Sequence, residues 1–381
     1  MRIAFVIPSL GPGGAERVAT LLCGQWVRQG HEVTLATFQP DGSKPFFELD
    51  PRVHLRQIAA VNYTRKTIGI MRTNVARIRL LRSLFVGLSP EVIVAFMTEA
   101  NVLALCASRG LGIPTVVSER NQPDRPELGR LRRLACRISY RWSNGIVVQT
   151  DEIAAWARRR FRVPVEVLPN PVLLERDLQS LRNPNAARQI VAAGRLVPQK
   201  GFDILIDSFS RLAGRHSGWH LTIYGEGPMR SPLEAAIRAR DLQGRVKLAG
   251  LCEDIQLALR QASIFVLPSR FEGYPNILLE ALACGCPVIA TDCPGGCKAI
   301  LAHGRYGVLV PPEDVDRLAA ALESMMQNRA ARERYALLGP EAVKGLNVAT
   351  ISEKWIFLFR QLQDLGPGPN WPTFRVSRES T

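Results

Sequence analysis

Long apolar runs are missing from the chain. A helix that spans a bilayer needs about 20 consecutive apolar residues, and the 381 residues contain no such run. The first residues lead directly into a strand-like segment, instead of a charged region followed by a long apolar core, so we expect no signal peptide. The sequence therefore predicts a cytoplasmic protein without a membrane-spanning helix.

Recognisable zinc-binding patterns are also missing. The eight cysteines include no Cys-x2-Cys pair of the kind found in zinc knuckles. Four of them cluster late in the chain, Cys284, Cys286, Cys293 and Cys297, the first two at a predicted helix end and strand start. That placement favours reduced, buried thiols of a cytosolic protein over a zinc site. We therefore expect the protein to work without a metal ion or other cofactor.

Acidic residues are too few to balance the basic ones. The chain has 49 Lys and Arg against 34 Asp and Glu, a net charge of +15, and its first 185 residues hold 26 of the former and only 15 of the latter. Such an excess favours nucleic acid, anionic lipid or diphosphate-bearing substrates as partners. The interpretation as a nucleic-acid-binding protein rests on charge alone, since the sequence shows no binding motif and no aromatic residues interleaved with the basic ones. We therefore do not expect nucleic acid as a partner.

The chain begins as an α/β domain. Residues 2–7 and 32–37 read as strands, residues 15–29 as an amphipathic helix, and a glycine-rich loop, SLGPGG, lies between the first strand and the helix. Gly13 and Gly14 allow a phosphate or a sugar to approach the backbone closely. The loop lacks the G-x-G-x-x-G spacing of a dinucleotide site, which argues against a nicotinamide dehydrogenase.

Two arginine-rich stretches of the first half are amphipathic. In residues 56–85 and again in residues 128–141, arginines alternate with apolar side chains at roughly helical spacing. One interpretation is an ordinary surface helix with a solvated basic face; the other is a face that lies on anionic lipid. Two such stretches in one domain favour an anionic membrane surface as a partner, with the protein peripheral on the cytosolic face of the inner membrane.

A strand–loop–helix–strand unit over residues 263–298 is the most informative part of the sequence. Residues 264–267 read as a buried strand, residues 268–276 as a loop, and residues 277–283 as a helix. Glu272 lies in the loop, and Glu280 lies on an apolar helix face, where an unpartnered carboxylate is costly. With Pro275 near its first turn, the helix start offers an anion site. A sugar nucleotide fits, with its diphosphate at the helix start, its ribose on Glu280 and its sugar on Glu272.

This segment, FEGYPNILLEALACGCPVIATDCPGG, closely resembles the E-x7-E signature of the retaining glycosyltransferases of family 4. The resemblance implies the GT-B fold, in which two Rossmann-like α/β domains face each other across a cleft. It also implies transfer of a sugar from a nucleoside diphosphate with retention at the anomeric carbon. Pro169-Asn170-Pro171 resembles the family's hinge. The predicted division is an acceptor-binding domain (1–170), a linker (171–187), a nucleotide-sugar-binding domain (188–350), a helix crossing back to the first domain (351–365) and a flexible tail (366–381).

The resemblance also implies residue roles. In the segment GRLVPQKG, Arg195 and Lys200 match the cations that hold the donor diphosphate, and with Glu272 they are the candidate catalytic residues. Leu248 and its neighbours match the backbone that reads the base. The full set of candidate donor-binding residues is Gly13, Gly14, Gly225, Glu226, Gly227, Leu248, Gly250, Gly273, Asn276, Ile277, Leu278 and Glu280.

Three residues that follow predicted strands are candidate acceptor or sugar contacts: Glu99, Glu119 and Arg120. Arg120 stands where many family members have a sugar-contacting histidine, and the SERN segment around it resembles a branch that builds lipid-linked glycans. The expected donor is UDP-hexose or UDP-N-acetylhexosamine, and the expected acceptor is a polyprenyl-diphosphate-linked or other glycan. A transferase with a soluble acceptor remains the alternative.

Overall fold

A computed structural model describes residues 1–59, 67–120, 129–173 and 188–364. The chain divides into two compact units. The first comprises Met1–Pro171 together with the chain from Val348 onward, and the second comprises Val172–Asn347. The predicted tail (366–381) and most of the predicted linker lie outside the described residues. Each unit is a parallel sheet with helices, and the expected α/β fold class is confirmed.

The first unit contains a seven-stranded parallel sheet in the order β3-β2-β1-β4-β5-β6-β7. Its central strands are buried on both faces, which explains why they read as continuous apolar runs. The strands are β1 (Arg2–Ile7), β2 (Glu32–Thr37), β3 (His54–Gln57), β4 (Val92–Phe96), β5 (Thr115–Ser118), β6 (Gly145–Val148) and β7 (Val165–Val167).

The helices of this unit include both arginine-rich stretches. They are α1 (Gly14–Arg28), α2 (Thr67–Leu88), α3 (Thr98–Ser108), α4 (Arg130–Ser139) and α5 (Asp151–Arg160). The prediction of a helix over residues 56–85 was wrong at its start, because His54–Gln57 is an edge strand paired in parallel with β2. Burial alternates along this strand with a period of two, which a helix does not show.

The second unit contains a six-stranded parallel sheet in the order β10-β9-β8-β11-β12-β13. Its strands are β8 (Gln189–Ala193), β9 (His220–Tyr224), β10 (Val246–Gly250), β11 (Ile264–Leu267), β12 (Val288–Thr291) and β13 (Val308–Val310). Its helices are α6 (Phe202–Ala213), α7 (Arg230–Ala239), α8 (Ile255–Gln261), α9 (Asn276–Ala283), α10 (Cys297–Ile300), α11 (Val315–Gln327) and α12 (Arg329–Ala342).

The last helix, α13 (Val348–Asp364), belongs to the first unit and packs on α1. Trp355 and Phe359 lie 6.3 and 5.4 Å from the ring of Trp26, all three fully buried. Ser352 Oγ donates a hydrogen bond of 2.8 Å to the side chain of Gln29. Aromatic pairs of this kind each add about 0.5–1.5 kcal/mol beyond their burial, so α13 is an integral part of this core.

Strand order reverses once in each sheet. In the first unit the reversal lies between β1 and β4, and in the second between β8 and β11. The loops that leave two such neighbouring strands diverge to opposite faces of the sheet and open a crevice at the carboxyl ends of the strands, where α/β proteins bind ligands. The topology thus marks the loops after β1, β4, β8 and β11 as the places to look for a site.

Candidate functional site

In the second unit, the loop after β8 (residues 194–201) is tied closely to the loop after β11 (residues 268–275). The backbone amide of Arg270 donates to the carbonyl of Gln199 at 2.8 Å. Gly201 has a φ of +64°, and a Cβ added there would lie 2.1 Å from the carbonyl oxygen of Pro268. Only glycine permits both this backbone conformation and this approach. The sequence Lys200-Gly201 therefore lets the two loops touch.

Two of the three candidate catalytic side chains, Lys200 and Glu272, meet at this junction. Lys200 Nζ donates to Glu272 Oε1 at 2.6 Å, and Ser269 Oγ donates to the same oxygen at 2.6 Å. Glu272 is only 5% exposed, so its charge depends on these partners. The pair places an ammonium group and a carboxylate at one point of the crevice. A phosphate suits the first, and sugar hydroxyls suit the second.

Arg195 completes the charge of this loop. Its side chain is exposed, and no described residue forms an ion pair with it. A guanidinium group offers a planar fork of donors that matches two phosphate oxygens, whereas an ammonium group acts as a point charge. Arg195 and Lys200 thus supply both kinds of contact on one loop, as a diphosphate requires.

The turn after β9 packs against the same loop. The amide of Gly225 donates to the carbonyl of Gly250 at 2.7 Å, and the carbonyl of Glu226 accepts from the amide of Leu196 at 2.9 Å. The side chain of Glu226 turns toward Arg230 (3.2 Å), which also donates to the carbonyl of Leu248 at 3.3 Å. The predicted donor residues of the β9 and β10 loops are therefore joined in one layer beside Arg195.

Gly225 has no room for a side chain. Its φ is +139°, and an added Cβ would lie 1.9 Å from the carbonyl oxygen of Gly194. We expect Gly225→Ala to cost about 1–3 kcal/mol of stability and to weaken UDP binding, because it displaces the loop that carries Arg195. Denaturant unfolding and UDP titration measure the two effects. Gly214→Ala, which meets no atom within 4 Å, is the control, and equal behaviour of the two variants would contradict this packing.

The helix that carries the second glutamate begins as the sequence suggests. Pro275 is the N-cap of α9, and Glu280 is 5% exposed on a helix whose neighbouring side chains are buried. The amide of Leu278 already donates to the carbonyl of Pro275 at 3.1 Å. No hydrogen bond joins the amide of Ile277 to a described residue, so of the candidate donor-binding residues Ile277 and Leu278, Ile277 is the one whose amide is available to a ligand.

The remaining predicted residues of this region are backbone positions. Gly273 accepts a hydrogen bond of 2.8 Å from the amide of Gly296, which fixes the loop after Glu272. Asn276 is the first residue of α9 and is half-buried. Gly227, at the end of the β9 turn, would place a Cβ 2.4 Å from the carbonyl oxygen of Leu196. Gly273 and Gly227 therefore shape the loops around the Lys200–Glu272 pair.

The clustered cysteines are buried thiols. Cys293 Sγ and Cys297 Sγ lie 3.9 Å apart, while Cys284 and Cys286 contact backbone carbonyls. Within the described ranges, no three His, Cys, Asp or Glu side chains are grouped to hold a metal ion.

The chain contains one Asp-x-Asp segment, Asp314-Val315-Asp316. Asp314 caps the start of α11 by accepting from the amide of Arg317 at 2.8 Å, and Asp316 pairs with Arg211. Both carboxylates thus have structural partners.

In the first unit, Glu119 belongs to a buried network that the sequence did not predict. Thr98 Oγ1 donates to both of its oxygens (3.1 and 3.2 Å), Tyr140 OH donates to one of them (2.5 Å), and Asn101 in turn donates to Tyr140 OH (2.8 Å). Burial and the charge of Glu119 raise the pKa of Tyr140 well above its ordinary value, so the phenol remains a donor. These contacts fix the carboxylate next to Arg120.

Arg120 is a buried cation at the carboxyl end of β5. Its guanidinium carbon lies 3.7 Å from the ring centroid of Phe96, and one of its terminal nitrogens donates to Asn170. Its Nε has no hydrogen-bond partner among the described residues. Burial lowers the pKa of Arg120 to about 9, against the opposing charge of Glu119, and the side chain remains charged at neutral pH. A cation at the carboxyl end of a parallel strand is suited to an anionic ligand.

Glu99 lies at the start of α3 and connects the two arginine-rich helices. One carboxylate oxygen contacts Arg77 of α2 at 2.8 Å, and the other contacts Arg132 of α4 at 2.9 Å. Both oxygens are therefore engaged in ion pairs. The structure thus gives Glu99 a structural role beside the acceptor role that the sequence suggested.

Gly13 and Gly14 lie at the start of α1, after β1. Gly13 is the N-cap of this helix and has extended backbone angles, and its carbonyl accepts from the amide of Arg17 at 3.0 Å. These glycines therefore occupy the loop after β1, at the strand-order reversal of the first unit.

Two family models match the chain. Residues 12–176 match the model described as Glycosyltransferase Family 4, and residues 187–328 match the model described as Glycosyl transferases group 1. Together they cover more than half of the 381 residues.

Within the described ranges, no helix has the length and the apolar character that crossing a membrane requires.

A curated relative and two solved structures are similar along nearly the whole chain. The relative is the GalNAc-alpha-(1->4)-GalNAc-alpha-(1->3)-diNAcBac-PP-undecaprenol alpha-1,4-N-acetyl-D-galactosaminyltransferase of Campylobacter jejuni, 23% identical over 96% of this chain and 99% of its own. Sucrose-phosphate synthase of Thermosynechococcus elongatus superposes with a TM-score of 0.83 (18% identity, 96% and 100% coverage). HepE of Anabaena, in complex with UDP-glucose, superposes with a TM-score of 0.76 (18% identity, 95% and 100% coverage). The chain therefore belongs to the glycosyltransferases, with a family 4 domain followed by a group 1 domain on the GT-B fold.

Proposed function

We propose that the protein transfers a hexose or N-acetylhexosamine from a UDP-sugar, with retention, to a polyprenyl-diphosphate-linked glycan at a membrane surface. One observation carries the proposal: the Lys200–Glu272 pair and Arg195, which forms no ion pair with a described residue, lie on the loops at the strand-order reversal of the second unit. That arrangement supplies two cations for a diphosphate and one carboxylate for the sugar it carries.

The residues support a dissociative substitution at the anomeric carbon. The bond from that carbon to the β-phosphate oxygen breaks, and Arg195, Lys200 and the amide of Ile277 stabilise the charge that develops on the diphosphate. The acceptor oxygen bonds to the same face of the carbon, and its proton passes to the departing phosphate oxygen. Glu272 orients the sugar hydroxyls and Glu280 holds the ribose. No metal ion enters this proposal, since the two cations supply the positive charge.

Two features favour UDP as the donor nucleotide. HepE, whose fold this chain shares, was solved with UDP-glucose. In this chain, Gly250 has a φ of +77° and its carbonyl accepts from Gly225, so the end of β10 turns its backbone into the donor loops. A backbone edge at Leu248–Leu251 reads a pyrimidine by hydrogen bonds without needing a specific side chain.

The acceptor proposal rests on Arg120. A guanidinium group at the carboxyl end of a parallel strand suits a phosphate group of the acceptor, and the Campylobacter relative carries an undecaprenol diphosphate in its name. We propose that Arg120 contacts the acceptor diphosphate and that Glu119 holds Arg120 in place.

The surface of α4 suits a membrane. Leu131, Leu134 and Ile138 are exposed along one stripe of the helix, and Arg130, Arg133 and Arg137 form the adjacent stripe. An apolar stripe beside a basic one is the pattern of helices that lie in the interface of anionic bilayers. We propose that α4 brings the first unit to the membrane that contains the lipid-linked acceptor.

A double variant tests this surface. We expect Leu131→Ser with Leu134→Ser to lower binding to vesicles rich in anionic lipid about tenfold, because two partly inserted leucines each contribute a fraction of the roughly 1.5–3 kcal/mol of a fully buried one. Vesicle sedimentation measures the change. Leu337→Ser is the matched control, since Leu337 is 79% exposed on α12 of the second unit. Equal binding by both variants would contradict a membrane role for α4.

The function itself is tested by UDP release from a panel of sugar nucleotides, with and without a membrane lipid extract. Release from one donor only when lipid is present is the expected result. Release without lipid would replace the lipid-linked acceptor with a soluble one. A folded protein that neither turns over nor binds any donor of the panel would overturn the proposal.

A further inference from the structure

Arg270 lies two residues before Glu272, and all three of its guanidinium nitrogens donate hydrogen bonds. Its two terminal nitrogens donate to Asp203 as a fork, at 3.0 and 2.7 Å. One of them also donates to the carbonyl of Pro198 at 2.5 Å, and Nε donates to Glu313 at 2.9 Å. Asp203 is in the first turn of α6, and Pro198 lies two residues before Lys200.

Backbone contacts reinforce this arrangement. The amide of Arg270 donates to the carbonyl of Gln199 at 2.8 Å, and the side chain of Gln199 donates back to the carbonyl of Phe271 at 2.9 Å. The residues immediately before Lys200 and the residues immediately before Glu272 are therefore linked to each other directly. Arg270 supplies the link that extends to both sides of the Lys200 loop, through Pro198 and Asp203.

We propose that Arg270 is a positioning residue that holds Lys200 and Glu272 in register across the two loops, an inference that rests on the roles given to those two residues under the proposed function. Lys200 meets the diphosphate and Glu272 meets the sugar. Their separation must stay fixed while the bond between the diphosphate and the sugar breaks. Arg270 lies on the same loop as Glu272 and sets that separation by binding the loop that carries Lys200.

The contribution of Arg270 to overall stability is small. Its side chain is 26% exposed, that of Asp203 is 42% exposed and that of Glu313 is 67% exposed, and ion pairs this open contribute little to the free energy of unfolding. Loss of alignment has a larger consequence, since a misplacement of roughly 1 Å costs up to about 100-fold in rate. Lysine cannot substitute, because one ammonium group cannot fork Asp203 and reach Pro198 and Glu313 as well.

Burial alone would raise the pKa of Asp203, and the hydrogen bonds and charge of Arg270 outweigh that effect and leave this pKa below its ordinary value. Asp203 is therefore ionised at neutral pH, and the fork keeps its full charge under assay conditions.

Steady-state kinetics of Arg270→Met give the first test. We expect kcat to fall about 10–100-fold, with the donor KM within about threefold of wild type, and Arg270→Lys to recover only a small part of kcat. Arg211→Met is the matched control, since Arg211 lies on α6 like Asp203 and pairs with Asp316 at the surface. Wild-type kcat in Arg270→Met would overturn the inference.

A double-variant cycle separates positioning from a general loss of structure. If Arg270 acts through Lys200, adding Arg270→Met to Lys200→Met lowers kcat less than about twofold, because the side chain to be positioned is already gone. An equal loss in both backgrounds would show that Arg270 acts elsewhere.

A crystal structure of Arg270→Met gives a readout that does not depend on activity. The expected result is a Lys200 Nζ–Glu272 Oε1 separation beyond 4 Å instead of 2.6 Å. An unchanged separation overturns the inference. Failure of the proposed function gives a different result. The wild-type protein would then neither bind nor turn over a UDP-sugar, but Arg270→Met would still lengthen the Lys200–Glu272 separation.

Discussion

We expect replacement of Lys200 with methionine to lower kcat/KM for the sugar nucleotide by about 10²–10³-fold, the range found when one group that stabilises developing negative charge is removed. Lys200 is the cation at the junction of the loops after β8 and β11, 2.6 Å from Glu272. Methionine keeps the length of the side chain and removes only its charge, so the loop remains packed. Initial rates of UDP release over a range of donor concentrations measure the effect.

The matched control is Lys344→Met, an exposed lysine of the same unit, which we expect to retain wild-type kinetics. Thermal unfolding of both variants shows that each is folded. A Lys200→Met enzyme with wild-type kcat/KM would remove Lys200 from the mechanism, and with it the interpretation of the β8 loop as the diphosphate site.

Glu272→Gln has the second largest expected effect. We expect kcat to fall about 100-fold, because an amide cannot accept hydrogen bonds from sugar hydroxyls through two charged oxygens as the buried carboxylate does. Binding of UDP alone is expected to hold or tighten, since the substitution removes a negative charge beside the diphosphate and releases Lys200 from its ion pair. Turnover assays measure the expected fall in kcat, and UDP titration measures the expected unchanged or tighter UDP binding.

A lower kcat without weaker UDP binding is the result that identifies the role of Glu272. Glu353→Gln, an exposed glutamate of α13, is the control and is expected to change neither quantity. If Glu272→Gln kept full transfer activity with normal donor binding, the assignment of Glu272 to the sugar would be wrong.

The sequence predicted the central segment well because its signals are local. The apolar run 264–267 is bounded by proline, glycine and charged residues, and the structure places β11 there with the same bounds. The helix after it starts at Asn276, one residue earlier than predicted. The α/β fold class, the GT-B fold and the glycosyltransferase family, which followed from this segment and from the spacing of the others, are confirmed.

Contacts between distant parts of the chain were not predictable in this way. Lys200 and Glu272 are 72 residues apart, and the sequence assigned them separately, one to the diphosphate and one to the sugar. Their direct pairing depends on which strands are neighbours in the sheet. Arg270 had no predicted role for the same reason, since its partners lie on other loops.

The buried network of the first unit shows the same limit. Tyr140 donates to Glu119, although Glu119 directly follows β5 and Tyr140 directly follows α4, 21 residues later. No local pattern marks Tyr140 as a partner, because a tyrosine at the end of an arginine-rich helix reads equally well as a surface residue. The edge strand β3 was missed because alternation over only four residues is a weak signal next to a long basic helix.

Titration calorimetry with UDP tests the central claim most directly, because it requires no acceptor. The claim is that the loops after β8 and β11 of the second unit bind the nucleoside diphosphate of a sugar donor. The account predicts one UDP site per chain in the wild-type protein and affinity reduced at least about tenfold in both Arg195→Met and Lys200→Met, since each loses a charge-assisted contact of about 1.5–3 kcal/mol. A folded wild-type protein that binds no UDP, or variants that bind it as tightly as the wild type, would contradict the account.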